Sequence, residues 1–376
     1  MKYRRFGRLD WRASALGFGA MRLPTIGGDH DKIDEVEAIR MLRYAIDHGV
    51  NYIDTAYPYH GGNSEVVVGK ALGGGYRDKV KVATKMPTWM VNTQADMGKY
   101  LDEQLKRLQT DHVDFYLLHG LNKERWAKMR ELGALEWAEK SIDEGKVRHL
   151  GFSFHDDLET FKGIIDGYGG WTLCQIQYNF ENEDLQAGTK GLKYAADKGL
   201  AVVIMEPLLG GYLVNPPNEV QKVWDGANRN PVDMALKWLW NKPEVSVVLS
   251  GMSAMEQVQQ NVENASASGV GTLKEEDLSL IGRVHAKYSE IRPIPCTKCE
   301  YCMPCPNGVN IPYNFELYNQ GIAYNKMDKS RRAYEREQEK ERASACKDCK
   351  SCEEKCPQGI AISEWMPRVH GELGHK

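Results

Sequence analysis

The chain has 376 residues, 42% of them hydrophobic, enough for one large module with a modest appendage. Lys plus Arg number 49 against 52 Asp plus Glu, so a net charge of -3 and a pI near 6.4 leave no basic surplus to hold a phosphate backbone, and nucleic acid is excluded as an expected partner. A mean hydropathy of -0.53 and the lack of an apolar stretch of spanning length exclude a membrane-embedded protein, and the charged start Met1-Lys2-Tyr3-Arg4-Arg5 leads into no apolar signal core, so a cytoplasmic protein is expected.

Residues 2–13 place aromatics on both sides of a Gly-containing turn and predict a hairpin that closes the bottom of the fold that follows. From about residue 14 to 251, short β-rich apolar runs alternate with longer segments of helical periodicity. Eight runs are expected strands: 15–20, 50–56, 81–85, 113–119, 147–154, 173–178, 201–206 and 245–250. Between them Val36, Ile39, Ala45 and Ile46 recur with helical spacing, as do Met97, Leu101, Leu105 and Leu108, and then Met234, Leu236, Trp238 and Leu239. Strands alternating with helices imply an α/β fold with a parallel sheet, and eight such units suit a closed (β/α)8 TIM barrel better than the open doubly wound sheet that remains the alternative. The Ser/Ala/Gly-rich stretch 265–271 predicts a loop, 274–290 a helix, and Arg292-Pro293-Ile294-Pro295 a break. The expected domains are therefore a barrel over 1–290 and a second domain over 291–376. Within the latter, residues 326–345 interleave Lys, Arg and Glu and read as an exposed, solvated helix.

In a (β/α)8 barrel the chemistry is built at the C-terminal ends of the strands. Asp54 and Tyr59 follow the second run, Lys85 ends the third and His119 ends the fourth. Singly, Asp54 reads equally well as a turn cap, Lys85 as a surface lysine and His119 as a core histidine. Their arrival at equivalent positions of three consecutive strands points to an acid site. A tyrosine of pKa about 10 needs a cation to stabilise its phenolate, which Lys85 supplies. That lysine in turn needs a carboxylate, Asp54, while a neutral His119 polarises a carbonyl oxygen. The reaction this set predicts is hydride addition to a carbonyl, with Tyr59 as proton donor.

The same residues resemble the aldo-keto reductases. The resemblance runs over about 2–262, through Lys2-Tyr3-Arg4, Phe6-Gly7, Leu16-Gly17-Phe18-Gly19, Asp54-Thr55-Ala56-Tyr57-Pro58-Tyr59, Gly62-Asn63-Ser64-Glu65, Thr84-Lys85, Asp114-Phe115-Tyr116-Leu117-Leu118-His119, Gly151-Phe152-Ser153 and Gln175-Ile176-Gln177-Tyr178-Asn179. It implies that Asp54, Tyr59, Lys85 and His119 are a catalytic tetrad, that the substrate is a small carbonyl or alcohol, and that NADP(H) or NAD(H) lies across the barrel mouth. By the same resemblance Ser153 and Gln175 face the nicotinamide amide, Leu208 lies by the pyrophosphate, and Gly251, Ser253, Gln257 and Asn261 hold the adenosine end. A Rossmann fingerprint is absent, since Arg22 stands where the third glycine of Gly17-Phe18-Gly19 would fall. Three positions depart from the family. Phe154 replaces an asparagine, Met205 a stacking tyrosine, and Ser253 the basic residue that grips a 2′-phosphate, so no strict preference for NADPH is implied.

Eight of the nine cysteines lie beyond residue 295. They read Cys296-x2-Cys299-x2-Cys302-x2-Cys305-Pro306 and Cys346-x2-Cys349-x2-Cys352-x3-Cys356-Pro357. The second group has the bacterial ferredoxin spacing, in which three thiolates hold one 4Fe-4S cluster and the fourth reaches another, so two 4Fe-4S clusters are expected. Zinc, which favours separated ligand pairs, is the alternative. The first group is one residue short before Cys305, which leaves that cysteine open as either a ligand or a free thiol. The long gap between the groups resembles the α-helical ferredoxin domains of reductase iron–sulfur subunits. Three functions follow. The first is an NAD(P)(H)-dependent carbonyl or alcohol oxidoreductase associated with iron–sulfur electron transfer, with a ferredoxin-type electron partner. Because a hydride carries two electrons and a cluster passes one, the second is a cluster-linked enzyme that binds FMN at the barrel mouth. The third is a non-catalytic electron-transfer protein with a vestigial barrel, against which the intact tetrad argues.

Overall fold

The structure is a computed structural model that describes residues 1–296 and 298–374. The first residues form the expected hairpin, β1 (Tyr3–Arg5) antiparallel to β2 (Arg12–Ser14). Its turn drives Phe6 into a cluster with Tyr52 and Phe115, the Phe6 and Phe115 rings lying 4.8 Å apart, so the hairpin plugs the end of the barrel where the strands begin. Gly7 is obligatory here. Its φ is +56°, and a Cβ would fall 2.5 Å from the Ala201 nitrogen.

Eight parallel strands close into a barrel. In order they are β3 (Leu16–Gly19), β4 (Tyr52–Asp54), β5 (Lys81–Met86), β6 (Val113–Leu121), β7 (Val147–Phe154), β8 (Leu173–Gln177), β9 (Ala201–Met205) and β10 (Val245–Gly251), and β10 pairs back onto β3. The open doubly wound alternative is excluded by that closure. Each strand is buried on both faces, as parallel strands under a ring of helices must be, and this is why they read as continuous apolar runs. The helices follow from local signals. Gln94–Leu108 starts at a Thr93/Asp96 capping box, buries Met97, Leu101, Leu105 and Leu108 at the expected spacing, and stops at Gln109 with φ +55°. The helix Glu35–Asp47 differs from expectation. Val36 is 81% exposed, and the inward face is Ala38, Met41, Leu42, Ala45 and Ile46. The stretch expected as a loop at 265–271 is helical in its first turn, because Met255–Ala267 runs through it.

Contacts divide the chain into two compact units, one of residues 1–210 and 233–275, the other of 211–232 and 276–376. The sequence expectation of a break at 290/291 differs from this division. The helix Glu275–Glu290 sits with the second unit because Asp277 pairs with Arg229 at 3.1 Å and the Tyr288 ring packs on Tyr324 at 5.1 Å. That unit has no strand among its described residues. Its helices Ile311–Ala323, Met327–Arg336 and Ile362–Leu373 close over Phe315, Tyr334, Met366 and Val369. The exposed helix expected over 326–345 is thus shorter, continues as two single 3-10 turns, and buries Ser330 and Tyr334. Among the described residues no helix is long and apolar enough to cross a membrane.

Candidate active site and cysteine cavities

The barrel brings Asp54, Tyr59, Lys85 and His119 together at one mouth. Asp54 is the last residue of β4, Lys85 lies near the end of β5, His119 near the end of β6, and Tyr59 opens the turn Tyr59–Gly62. Lys85 is fully buried and donates to Asp54 Oδ1 at 2.6 Å, to the Thr55 carbonyl at 2.8 Å and to the Tyr59 hydroxyl at 3.5 Å. The His119 ring meets Tyr59 edge-on at 6.0 Å, and Trp89 packs on its other side at 5.1 Å. His119 Nδ1 is buried without a partner among the described residues.

The electrostatics assign protonation states. Burial presses Lys85 toward neutrality, but Asp54 and Tyr59 outweigh it and hold its pKa above the ordinary value. Burial also raises Tyr59, which Lys85 offsets only in part. Burial thus outweighs Lys85 and favours the protonated hydroxyl, the form that the sequence reading expects of a proton donor. Burial, followed by the positive surroundings of Lys85, His155 and Arg125, pulls His119 well below the usual imidazole range, so its ring is neutral.

A buried network fixes the lysine from behind. Glu65 accepts from Thr84 and from Gln104, both at 2.6 Å, and Gln104 Nε2 also donates to the Lys85 carbonyl at 3.1 Å. Burial raises Glu65, while Thr84, Gln104 and Arg107 pull the other way. Gln104 carries no sequence signal beyond a polar residue on a helix; only its burial at 0% exposure reveals it.

Farther round the mouth, Ser153 and Gln175 are register partners on β7 and β8. The Ser153 hydroxyl accepts from Gly120 N at 2.7 Å. Gln175 Nε2 faces the Met205 sulfur at 3.6 Å, and its Oε1 is buried without a partner among the described residues. Phe154 is buried against Phe161, and Leu208 is half-buried. At the end of β10, Gly251 and Ser253 are exposed, Gln257 Oε1 accepts from Ser253 N at 2.9 Å, and Asn261 is buried and donates to Ser250 Oγ at 3.0 Å. Of that group, Gly251, Ser253 and Gln257 face outward and Asn261 supports them from within. Arg22 was missed as a candidate. Its side chain lies on Gly251, where a Cβ would come within 3.2 Å of it, and it is exposed. No spacing rule reports that contact, because the two residues are brought together only by the pairing of β3 with β10.

The cysteines gather into two cavities. One of about 330 Å³ is lined by Cys296, Cys299, Cys302 and Cys356, and one of about 290 Å³ by Cys305, Cys346, Cys349 and Cys352. The fourth cysteine of each run has crossed to the other run's cavity. Cys305, which its spacing left ambiguous, sits with the second set. None of the nine cysteines is in a disulfide. Among the described residues no three Cys, His, Asp or Glu side chains converge as a single metal ion needs. Four thiols spread around a cavity suit the corners of a polynuclear cluster better.

Residues 15–284 match the Aldo/keto reductase family, close to three quarters of the chain. The chain belongs to the aldo/keto reductase family. It is an oxidoreductase of the aldo-keto reductase type, and residues 295–361 add a 4Fe-4S dicluster domain. This aldo-keto reductase is 29% identical over 295 residues to L-galactose dehydrogenase of Arabidopsis thaliana, covering 70% of this chain and 87% of that protein. It is 30% identical over 246 residues to the uncharacterized oxidoreductase YrpG of Bacillus subtilis, covering 57% and 68%. Among solved structures it is similar to the holo form of aldo-keto reductase AKR11C1 from Bacillus halodurans, with TM-score 0.63, 26% identity, and coverage of 76% of this chain and 96% of that one. An aldo-keto reductase from Klebsiella pneumoniae in complex with NADPH gives TM-score 0.61 at 26% identity, covering 76% and 95%.

Proposed function

We propose that the barrel reduces a small carbonyl compound to its alcohol, or runs the reverse oxidation, with NADP(H) or NAD(H) as the hydride carrier. The observation that carries this reading is the buried Lys85 ammonium, hydrogen-bonded to both Asp54 and the Tyr59 hydroxyl, beside a neutral His119. The nicotinamide supplies the hydride to the carbonyl carbon. This chain's residues handle the oxygen. Tyr59 gives its proton to the oxygen, and Lys85 stabilises the phenolate that remains. Asp54 keeps the lysine charged, and the His119 ring hydrogen-bonds and orients the carbonyl. Ser153 and the unpartnered Oε1 of Gln175 suit the carboxamide of a nicotinamide. Arg22 and Ser253 suit its phosphates at the β10 end, in keeping with the NADPH bound by the Klebsiella pneumoniae relative.

The two cysteine sets are proposed to hold two 4Fe-4S clusters, one on Cys296, Cys299, Cys302 and Cys356, the other on Cys305, Cys346, Cys349 and Cys352. The donor chemistry supports this, four thiols around each cavity, with Glu300 the one carboxylate lining the first. Cys299 and Cys349 are exposed, which leaves an open edge on each set for a ferredoxin-type electron partner. Anaerobic iron and sulfide analysis is expected to give about eight of each per chain. Zinc in place of iron would overturn the cluster assignment. The optical spectrum of the same sample distinguishes clusters, nicotinamide and flavin; a stoichiometric FMN band would replace the nicotinamide reading of the mouth with the flavin one.

A further inference from the structure

His60 follows Tyr59 directly and sits in an unusual state. Its φ and ψ are +52° and +44°, a left-handed conformation that costs an ordinary side chain and that glycine adopts freely, yet the imidazole is 1% exposed. Both ring nitrogens are used. Nε2 accepts from the Leu23 backbone N–H at 3.2 Å, and Nδ1 donates to the His30 carbonyl at 2.5 Å. A backbone N–H can only donate and a carbonyl can only accept, so the partners themselves fix the neutral tautomer with the proton on Nδ1. The His30 ring stacks on the His60 ring at 4.5 Å and 13°.

Leu23 leads into a small hairpin, and His30 lies on it. Residues 24–34 turn back through the Thr25/Ile33 bridge and the Ile26 N to Lys32 O and Asp34 N to Pro24 O bonds. The hairpin continues directly from β3 at the barrel mouth. Asn63 Nδ2 donates to the Asp31 carbonyl at 3.0 Å, and the Asp31 carboxylate lies against Gly61, so the hairpin grips the Tyr59–Gly62 turn on both sides.

We propose that His60 is a positioning residue, a neutral clasp that holds the 24–34 hairpin to the turn carrying Tyr59 and so aims the proton-donating hydroxyl, and that protonation of the imidazole opens the clasp. A proton on Nε2 would face the Leu23 N–H, donor against donor, and that bond must break. The charged groups acting on the ring are His30 and Asp31 on the hairpin, while Arg107, from the helix Gln94–Leu108, lies against Gly62 at the far end of the turn. Burial lowers the His60 pKa below 6.5, and the positive side of His30 adds to it, against Asp31 and the bond to the His30 carbonyl. The folded value lies below the unfolded one, so the clasp's contribution is complete above about pH 6.5 and is lost as pH falls through the folded value.

The part of this inference that concerns Tyr59 rests on the proposed reductase activity; the clasp itself does not, and two readouts separate them. The first is hydrogen exchange of peptides covering residues 20–34 at pH 7.5 and pH 5, corrected for intrinsic rates. Protection is expected to fall roughly 3- to 10-fold at the lower pH in the unmodified protein, the value of one lost hydrogen bond. It is expected to be low at both pH values in His60→Gly, which relaxes the backbone and removes both bonds. It is expected to be independent of pH in His60→Gln, whose amide oxygen replaces Nε2 without titrating. The second is the kcat of NADPH-driven reduction of 4-nitrobenzaldehyde. A reversible acid limb is expected in the unmodified protein, a lower kcat with little change in NADPH affinity in His60→Gly, and loss of the acid limb in His60→Gln. Equal protection at the two pH values in the unmodified protein, or protection in His60→Gly as high as that of the unmodified protein at pH 7.5, would overturn the clasp. A pH-dependent clasp with no reductase activity would overturn only the aiming of Tyr59.

Discussion

The two halves of the chemistry are built on opposite kinds of backbone. Asp54, Lys85 and His119 stand on strands and Tyr59 on the turn after β4, and the lysine at their centre is held by partners from the chain itself, Asp54, Thr55 and Tyr59, with Gln104 anchoring it from behind. The cysteine sets stand on loops in which Lys298 and Glu300 have φ of +54° and +62°, and Asp348 and Lys350 have +53° and +58°. The same two positions around the central cysteine of each run are left-handed, at residues that are not glycine. Such conformations cost about 1–3 kcal/mol each and persist where something over-determines them. In the barrel the packed core does so. In the cysteine loops the four thiolates of a proposed cluster would do so, and the expectation is a barrel site that is preformed and a cysteine module that depends on its metal.

The sharpest way to break the barrel side of this contrast is Tyr59→Phe, which removes only a hydroxyl. Turnover with a verified carbonyl substrate is expected to fall about 10²–10⁴-fold with cofactor affinity unchanged, measured by steady-state kinetics and by cofactor fluorescence. Unchanged turnover would remove Tyr59 from its role. Next, Lys85→Met leaves the Asp54 carboxyl, whose pKa burial already raises, buried without its cation. A loss of about 3–5 kcal/mol in urea unfolding of the barrel is expected. A stability within about 1 kcal/mol of the parent would show that the pair is not held as described.

A smaller effect concerns pH. Burial raises Tyr59 above 10, so its proton is present throughout the neutral range and leaves only on the alkaline side of that value. Reduction is expected to hold level between about pH 7 and 9 and to fall above 10. An alkaline limb centred near neutral pH would mean that the bound cofactor reverses the balance between burial and Lys85. The smallest expected effect is at the nucleotide. Ser253→Arg adds a charge-assisted partner for a 2′-phosphate and is expected to raise the preference for NADPH over NADH by about tenfold. A parent enzyme already strict for NADPH, with the preference lost in Arg22→Ala, would assign the selection to Arg22 instead.

What could be read from the sequence tracks the range of the interactions involved. The eight barrel strands were legible because burial on both faces writes each as an apolar run, and Lys85 and His119 were legible because they end such runs. The Glu35–Asp47 helix was placed correctly but its face was misread through Val36, since a single apolar residue in the first turn says nothing about which side packs. His60 and Arg22 left no signal. The partners of His60 are 30 and 37 residues away, and Arg22 meets Gly251 across the closing strand pair. The crossing of Cys305 and Cys356 was legible from the ferredoxin spacing only for the second run; the shortened first run left Cys305 open, and the cavity places it with Cys346, Cys349 and Cys352.

The contrast between a preformed site and a metal-shaped module is tested most directly by removing the iron. Protein purified anaerobically is stripped with a chelator, and NADPH affinity and limited proteolysis are followed on the loaded and stripped samples together. The account predicts an unchanged NADPH affinity, a barrel that resists cleavage in both samples, and rapid cleavage within 295–361 only after the iron is gone. Resistance of 295–361 in the stripped protein, or loss of NADPH binding along with the iron, would contradict it.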